Sequence, residues 1–246
     1  MASLPSLLLT PFLLLAAALP VSAANGLVSE TKMIASAESV SREATFAYQL
    51  IKPKQASGRI MVLMHGSGGD ETTLLDLASR IAPDATLIGV RGRVVQDGIK
   101  RWYKRLTPTE FDQQDVRDEA TAFVAFMREK AEELKLDLSK ATFLGYSNGA
   151  NLIAALTQLY PGTVRKAVLL RPMPVLANAP QVDLSDSKFL TIAGEDDKLY
   201  YPFADRLHKM LASCGASVDA RVIDTGHGLG EEDVRIVADW LGQANR

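Results

Sequence analysis

Short apolar runs alternate along this chain with longer stretches in which apolar residues recur every three or four positions. The short runs predict strands buried on both faces, and the longer stretches predict amphipathic helices that cover them. The alternation favours an α/β fold with a mostly parallel central sheet and helices on both faces. The predicted parallel strands are 59–64, 86–90, 141–146, 166–170, 189–193 and 220–223, with 46–51 as an antiparallel edge. Such folds bind ligands at the carboxyl ends of their strands, so candidate functional residues are sought there.

One predicted strand, 141–146, runs directly into Gly145-Tyr146-Ser147-Asn148-Gly149, and an almost wholly apolar helical segment follows. This is the G-x-S-x-G pattern in the strand–turn–helix setting that it requires. The sharp turn needs small residues two positions before and after the serine, because neighbouring backbone comes close. It raises the serine hydroxyl above the sheet at a helix N-terminus, where developing negative charge is favoured. Ser147 is therefore the candidate nucleophile.

A serine nucleophile needs a general base that an acid holds in place. Of the three histidines, His65 ends a predicted strand and suggests a packing role, while His208 lies within a predicted helix. His227 stands between two glycines at a strand end and is the candidate base. In this fold the acid lies between nucleophile and base in chain order. Asp196 and Asp197, after the predicted strand 189–193, both fit, and their spacing alone does not separate them.

Acyl transfer also needs two N–H donors aimed at the developing oxyanion. The N–H of Asn148 is one candidate, because it follows the nucleophile at a helix start. The N–H of Ser67 is the other, because Gly66-Ser67-Gly68-Gly69 forms a glycine-rich loop after the predicted strand 59–64. A phosphate-binding loop is the alternative, but the segment lacks the Lys-Ser/Thr ending and the glycine spacing of nucleotide-binding motifs.

These motifs together resemble the α/β-hydrolase superfamily and, within it, the phospholipase/carboxylesterase family of small serine esterases, which includes acyl-protein thioesterase-like enzymes. The resemblance covers about residues 46–241 and rests on Leu63 to Glu71, Arg101-Trp102-Tyr103 with Phe111-Asp112, Gly145 to Gly149, Leu170 to Met173, Gly194 to Asp197, Gly226-His227-Gly228 and Asp239-Trp240-Leu241. The family carries its acid at the fourth position of a G-x-x-D turn, which implies Asp197. The valine-proline that usually follows this turn is replaced by Tyr200-Tyr201-Pro202.

The resemblance implies a single α/β-hydrolase domain that hydrolyses short- or medium-chain acyl esters through an acyl-enzyme. Its triad would be Ser147, His227 and Asp197, with Ser67 and Asn148 as the oxyanion hole. A small-molecule ester is the implied substrate, and no cofactor or metal is implied. The same triad would serve a thioesterase or a lysophospholipase, and a ligand-binding receptor on the hydrolase scaffold is a third possibility.

The connections 91–110 and 172–188 are too short to form a large lid. Trp102 and Met173 lie in them and are candidates for an apolar substrate groove. The first connection is also basic, with Arg91, Arg93, Lys100, Arg101, Lys104 and Arg105. Acidic residues follow at 110–119, which favours internal ion pairs over a nucleic-acid or anionic-lipid surface.

Charge is distributed unevenly along the 246 residues, because none of the 27 basic and 29 acidic side chains precedes Glu30. Residues 7–19 are mostly apolar, but they are too few to span a membrane and are interrupted by Pro11. Small residues at 21–23 suit a cleavage site. We therefore predict a signal peptide at residues 1–24, cut near Ala23 or Ala24, and a single mature domain at 25–246.

The mature domain is predicted to be exported to the periplasm or secreted, with no stable membrane insertion after cleavage. The pI near 6.0 argues against a protein built to coat nucleic acid. The sequence leaves the oligomeric state open.

Expression of the full chain in a bacterial host should yield a protein whose N-terminus follows Ala23 or Ala24, because the charge-free segment is removed on export. Intact mass and N-terminal sequencing of the envelope fraction measure this. A protein that still begins at Met1 and stays in the cytoplasm would contradict the prediction.

Overall fold

The computed structural model describes residues 39–243. The predicted signal peptide at residues 1–24 and the start of the predicted mature domain lie outside the described residues. Within the described part, no helix combines the length and the apolar character needed to cross a membrane.

Strands and α-helices alternate along residues 39–243, as the sequence pattern predicts. The strands are β1 (Val40–Arg42), β2 (Tyr48–Ile51), β3 (Ile60–Met64), β4 (Thr86–Val90), β5 (Val94–Gln96), β6 (Ile99–Arg101), β7 (Arg105–Thr107), β8 (Glu110–Phe111), β9 (Ala141–Tyr146), β10 (Lys166–Leu170), β11 (Lys188–Gly194) and β12 (Ser217–Ile223). The helices are α1 (Leu75–Ile81), α2 (Gln113–Leu134), α3 (Asn148–Leu159), α4 (Ala204–Ser213) and α5 (Glu231–Gln243). Short 3₁₀ turns at Leu138–Lys140 and Tyr201–Phe203 precede β9 and α4.

The main sheet has seven strands in the order β12-β11-β10-β9-β3-β4-β2. Neighbouring strands are parallel except β2 and β4, which are antiparallel at one edge. The predicted parallel strands and the antiparallel edge strand are confirmed, and β4, β9 and β10 have the predicted bounds. This order brings the carboxyl ends of β3, β9, β10 and β11 side by side at one end of the sheet.

Strand β3 illustrates how helices bury both faces of the sheet. Ile60, Val62 and Met64 belong to an apolar cluster that includes residues of α2, α3 and α4. Met61 and Leu63 belong to a second cluster with residues of α1 and α5. Because successive side chains of a strand point to opposite faces, a sheet covered on both sides needs an unbroken apolar run.

The connection 91–110 is a folded segment that contains four short strands. β5 pairs with both β1 and β6 in a small antiparallel sheet, and β7 pairs with β8 in a hairpin. These strands have two or three residues each, which is too short for apolar periodicity to reveal them in the sequence.

Trp102 and Met173, which the sequence predicts at a substrate groove, are both buried. Trp102 is fully buried, and its indole N–H donates to the carbonyl oxygen of His65 over 2.8 Å. Its ring meets that of Phe123 edge-on, with 5.6 Å between centroids. Met173 is 1% exposed, and neither residue lines the cavity at Ser147. Trp102 is thus a core residue, whereas Met173 lines a separate groove with Val175 and Leu176. A substrate-binding role for Met173 in that groove stays a prediction.

Replacing Trp102 by Phe leaves the buried carbonyl of His65 without its indole donor. We expect the free energy of unfolding to fall by about 1–3 kcal/mol, from the lost hydrogen bond and the smaller ring. Urea denaturation measures the change, with Trp240→Phe on the half-buried face of α5 as the matched control. Equal losses in the two variants would count against this structural role for Trp102.

Candidate active site

Ser147 stands in the turn between β9 and α3, where the backbone is strained. Its φ of +48° and ψ of −112° lie in a region that residues other than glycine seldom adopt. Its N–H donates to the carbonyl oxygen of Leu170 over 2.8 Å, and its carbonyl oxygen accepts from the N–H of Asn151 at 2.9 Å. Strain held in this way at a strand–helix turn fixes the direction of the serine hydroxyl.

The two glycines of the G-x-S-x-G pattern are required by close backbone approach. A Cβ on Gly149 would lie 2.2 Å from the carbonyl oxygen of Met64 at the end of β3. A Cβ on Gly145 would lie 2.6 Å from the Cα of Ala150 in the first turn of α3. Both distances are far inside van der Waals contact, so only glycine lets α3 begin this close to the sheet.

Three of the predicted site residues form one hydrogen-bonded chain. His227 Nε2 lies 3.0 Å from Ser147 Oγ, and His227 Nδ1 lies 2.6 Å from Asp197 Oδ2. The three residues follow β9, β11 and β12, so the fold brings distant parts of the chain together. The side chain of Asp197 is 5% exposed, whereas that of Asp196 is 64% exposed and pairs with Lys198. The geometry therefore selects Asp197 as the partner of His227.

Two tyrosines flank the imidazole of His227. Ring centroids lie 5.4 Å away for Tyr146 and 4.9 Å away for Tyr200. The hydroxyl of Tyr146 donates to the carbonyl oxygen of His227 over 3.0 Å, and burial raises the pKa of that hydroxyl, which keeps it a donor. The N–H of Tyr200 donates to Asp197 Oδ1 at 3.1 Å. The tyrosine segment that departs from the family pattern thus supports both the base and the acid.

A buried arginine holds the loop that carries His227. Arg171 is fully buried and makes a two-pronged ion pair with Asp233, with distances of 2.8 and 3.0 Å. The same guanidinium donates to the carbonyl oxygens of Gly226 at 3.0 Å and Gly228 at 2.9 Å, on either side of His227. From the sequence alone, Arg171 has no predicted role in the site. The sequence signal that could have revealed it is one charged residue directly after an apolar strand. A charge that is buried there needs a buried partner.

The two predicted oxyanion donors follow adjacent strand ends. Met64 of β3 lies beside Gly145 of β9, and each stands three residues before one of the donors, Ser67 and Asn148. The N–H of Asn148 opens α3, where a helix offers no internal acceptor. Neither donor N–H is engaged by another backbone group within residues 39–243. Ser67 lines the cavity, and Asn148 directly follows Ser147 of the same wall.

The segment 101–102 ties down both of these residues through their side chains. The N–H of Trp102 donates to Asn148 Oδ1 at 2.8 Å. Arg101 Nη1 donates to Ser67 Oγ at 2.9 Å. The segment 101–102 thereby helps to set the positions of the two predicted oxyanion-hole residues.

The other two histidines have different surroundings. His65 is 1% exposed, and its Nε2 accepts from the N–H of Gly92 at 3.0 Å, which leaves Nδ1 to donate to the carbonyl oxygen of Gly66 at 2.6 Å. Burial lowers the pKa of His65 to about 4, so it stays neutral near pH 7 and holds the glycine-rich loop. His208 on α4 lines a separate groove with Pro172.

Ser147 and His227 open into a cavity of about 340 Å³. Its walls are formed by Ser67, Arg105, Tyr146, Ser147, Asp197, Leu199, Tyr200 and His227. Leu199 is 43% exposed at this wall, so the cavity opens to solvent. Among residues 39–243, no group of three or more His, Cys, Asp or Glu side chains is placed to hold a metal ion.

Comparison with known proteins gives likenesses over most of the chain, although no model of a known family matches it. MhqD of Bacillus subtilis (strain 168), which is named as a hydrolase, is 33% identical over 195 residues, or 79% of this chain and 98% of MhqD. The crystal structure of a carboxylesterase from Mesorhizobium loti is 48% identical, with a TM-score of 0.78, over 83% of this chain and 98% of that one. The Bacillus cereus carboxylesterase is 30% identical, with a TM-score of 0.78, over 82% and 96%.

Replacing Arg171 by Leu should lower the free energy of unfolding by about 3–5 kcal/mol, because the carboxylate of Asp233 stays buried without its partner. Adding Asp233→Leu removes the second charge and should restore part of that stability. Turnover of a chromogenic ester should stay low in the double variant, since the carbonyl groups of Gly226 and Gly228 have lost their donors. Denaturation and initial rates measure the two effects separately.

The exposed pair Asp205 and Lys209 provides the matched control, because both side chains are 72% exposed. Replacing that pair by leucines should change stability by less than about 1 kcal/mol and leave turnover as it is. Full turnover in the Arg171→Leu, Asp233→Leu variant would show that Arg171 does not position His227.

Proposed function

The chain belongs to the phospholipase/carboxylesterase family of α/β-hydrolases, and from this premise we propose that it is a serine carboxylesterase with a Ser147–His227–Asp197 triad. The observation that carries the proposal is the continuous hydrogen-bonded chain between these side chains, at 3.0 and 2.6 Å. A nucleophile, a base and an acid within hydrogen-bond reach are what acyl transfer by an activated serine requires. The two carboxylesterase structures, at 48% and 30% identity, support the same reaction class.

In the proposed reaction, Ser147 Oγ attacks the ester carbonyl carbon while His227 Nε2 takes the hydroxyl proton. The tetrahedral oxyanion accepts hydrogen bonds from the N–H groups of Ser67 and Asn148. His227 then gives its proton to the alcohol oxygen as the ester bond breaks, which leaves an acyl-enzyme. A water molecule then adds to the acyl carbon and gives a proton to His227. The bond to Ser147 Oγ breaks, His227 returns the proton to Oγ, and the acid leaves.

The acid of the triad acts through the histidine. The carboxylate of Asp197 accepts from Nδ1 of His227, which presents Nε2 to the serine and stabilises the imidazolium that forms. Asp197 is 5% exposed, so little water competes for its oxygen atoms. Its other oxygen is occupied by the N–H of Tyr200, which leaves the carboxylate oriented towards His227.

Short or medium acyl chains fit the proposed site best. The cavity of about 340 Å³ is open at the wall formed by Leu199, and the segment 91–110 is folded into the body of the protein. A small open site suits small soluble esters, whereas long chains would extend into solvent.

We also propose that the enzyme works outside the cytoplasm, as a signal peptide at residues 1–24 implies. The chain has one cysteine, Cys214, which is buried. A single thiol forms no internal bridge, so folding of the mature domain would not depend on an oxidising compartment.

Ser147→Ala should reduce the turnover of short-chain chromogenic esters by about 10³-fold or more, because no other group can form the acyl-enzyme. Labelling by a fluorophosphonate should be lost with it, and both are measured on the purified protein.

The control is Ser213→Ala at the exposed end of α4, which should keep turnover and labelling at the wild-type level. Wild-type turnover in the Ser147→Ala protein would contradict the proposed function. A panel of esters, thioesters and lysophospholipids with the same variants defines the preferred leaving group.

A further inference from the structure

The basic segment 91–110 is only partly neutralised by ion pairs. Arg93 pairs with Glu119 at 2.8 Å, and Arg91 pairs with two glutamates at 3.3 Å each. The predicted internal pairing fails for Arg101 and Arg105, which form no ion pair within residues 39–243. Arg105 lines the cavity at Ser147, and Arg101 is bonded to Ser67 of the same wall.

Arg101 is a nearly buried cation whose binding capacity is mostly unused. It is 8% exposed, and its side-chain bond to Ser67 Oγ goes to an uncharged acceptor. Its Nε is buried without a partner among the described residues. A guanidinium carries five N–H donors, and a buried charge is normally matched by an opposite one. The matching charge is therefore expected to come from a ligand.

Arg105 places a second guanidinium at the cavity wall, together with Ser147 and His227. Its backbone is anchored by the side chain of Gln96, which donates to the carbonyl oxygen at 2.7 Å and accepts from the N–H at 2.9 Å. The guanidinium itself makes no hydrogen bond or ion pair with residues 39–243. The anchoring fixes the backbone from which this side chain reaches the cavity wall.

The charges around the cavity do not cancel. Burial lowers the pKa of Arg101 and the charge of Arg105 lowers it further, while Tyr200, Tyr103 and Asp97 oppose the shift. The carboxylate of Asp97 already accepts a backbone N–H at 3.1 Å, in the turn after β5. Asp197 is the acid on the cavity wall, and it is bonded to His227. On the cavity wall Arg105 and Asp197 carry opposite charges, and Arg101, bonded to Ser67 of that wall, adds a positive charge without an ion pair in residues 39–243. That charge matches a single carboxylate.

We propose that Arg101 and Arg105 form an anion subsite, and that the ester cleaved at Ser147 carries a carboxylate in its acyl part. The proposal rests on the proposed function and names its substrate class: monoesters of short dicarboxylic acids. Guanidinium groups bind carboxylates through paired N–H donors. They also offset the repulsion between the bound carboxylate and the oxyanion that develops at the scissile carbonyl. The cavity of about 340 Å³ has room for an acid of the size of succinate.

Monomethyl succinate illustrates the reaction. Ser147 Oγ forms a bond to the ester carbonyl carbon, its proton passes through His227 to the departing methanol, and a succinyl-enzyme results. Water then adds to this intermediate, gives a proton to His227 and releases succinate, while that proton returns to Ser147. The free carboxylate stays bound to the arginines through both steps, so the subsite acts on acylation and deacylation.

The test compares monomethyl succinate with methyl 4-methylpentanoate, a neutral ester of the same shape in which an isopropyl group replaces the carboxylate. Titration of the released acid at constant pH gives kcat/KM for each ester at low and high salt. We expect the wild-type enzyme to favour the charged ester by about tenfold to a hundredfold, as charge-assisted hydrogen bonds predict. Salt should reduce this preference, because it screens exposed charges.

Arg105→Gln should lower the charged-to-neutral ratio of kcat/KM by about tenfold or more, mainly through a higher KM for the charged ester. Arg105→Lys keeps a point charge without the planar fork and should give an intermediate ratio. The matched control, Arg128→Gln on the exposed face of α2, removes the same charge elsewhere and should keep the wild-type ratio. A wild-type ratio near one, or a ratio that Arg105→Gln does not change, overturns the anion subsite.

Failure of the subsite and failure of the proposed function give different results. Suppose that the wild-type enzyme cleaves the neutral ester, that Ser147→Ala does not, and that the charged-to-neutral ratio of kcat/KM is near one. The esterase function is then supported and the anion subsite is contradicted. If Ser147→Ala cleaves both esters as fast as the wild type, the proposed function falls and the subsite falls with it.

Discussion

The close approach of α3 to the end of β3 constrains everything around Ser147. Gly149 meets the carbonyl group of Met64 at a distance that excludes any side chain, so the helix starts directly above the sheet. The serine must then adopt a positive φ, and packing on both sides of the turn holds it there. The same contact brings the first N–H of α3 next to the loop that contains Ser67. One steric constraint therefore fixes the direction of the serine hydroxyl and the start of α3.

The histidine is positioned by a different kind of interaction. His227 lies in an irregular loop, and such a loop has no ladder of backbone hydrogen bonds to hold it. Its neighbours Gly226 and Gly228 are bonded instead to Arg171, whose charge is balanced by Asp233. Backbone packing thus fixes the serine, while a buried ion pair fixes the histidine, and the two meet at 3.0 Å. Damage to either support should separate the pair without touching the groups that react.

The connection 91–110 is part of the scaffold around the site. Its residues Arg101 and Trp102 bond to the side chains of Ser67 and Asn148, and Arg105 reaches the cavity. The same segment therefore contacts the predicted oxyanion-hole residues and also lines the cavity that would receive the substrate. Its unpaired guanidinium groups give the cavity an electrostatic preference that its small volume alone would not.

Local pattern determined the strand order along the chain, the turn at Ser147 and the candidate base, because each of these depends on residues close together in sequence. Spacing left Asp196 and Asp197 equivalent, and only the fold buries one of them against His227. Arg171 and Asp233 are 62 residues apart in sequence. The burial of Trp102 depends on its contact with α2. Neither contact produces a periodic pattern in the sequence. Contacts between distant segments follow from how the layers pack, and that is a property of the tertiary structure alone.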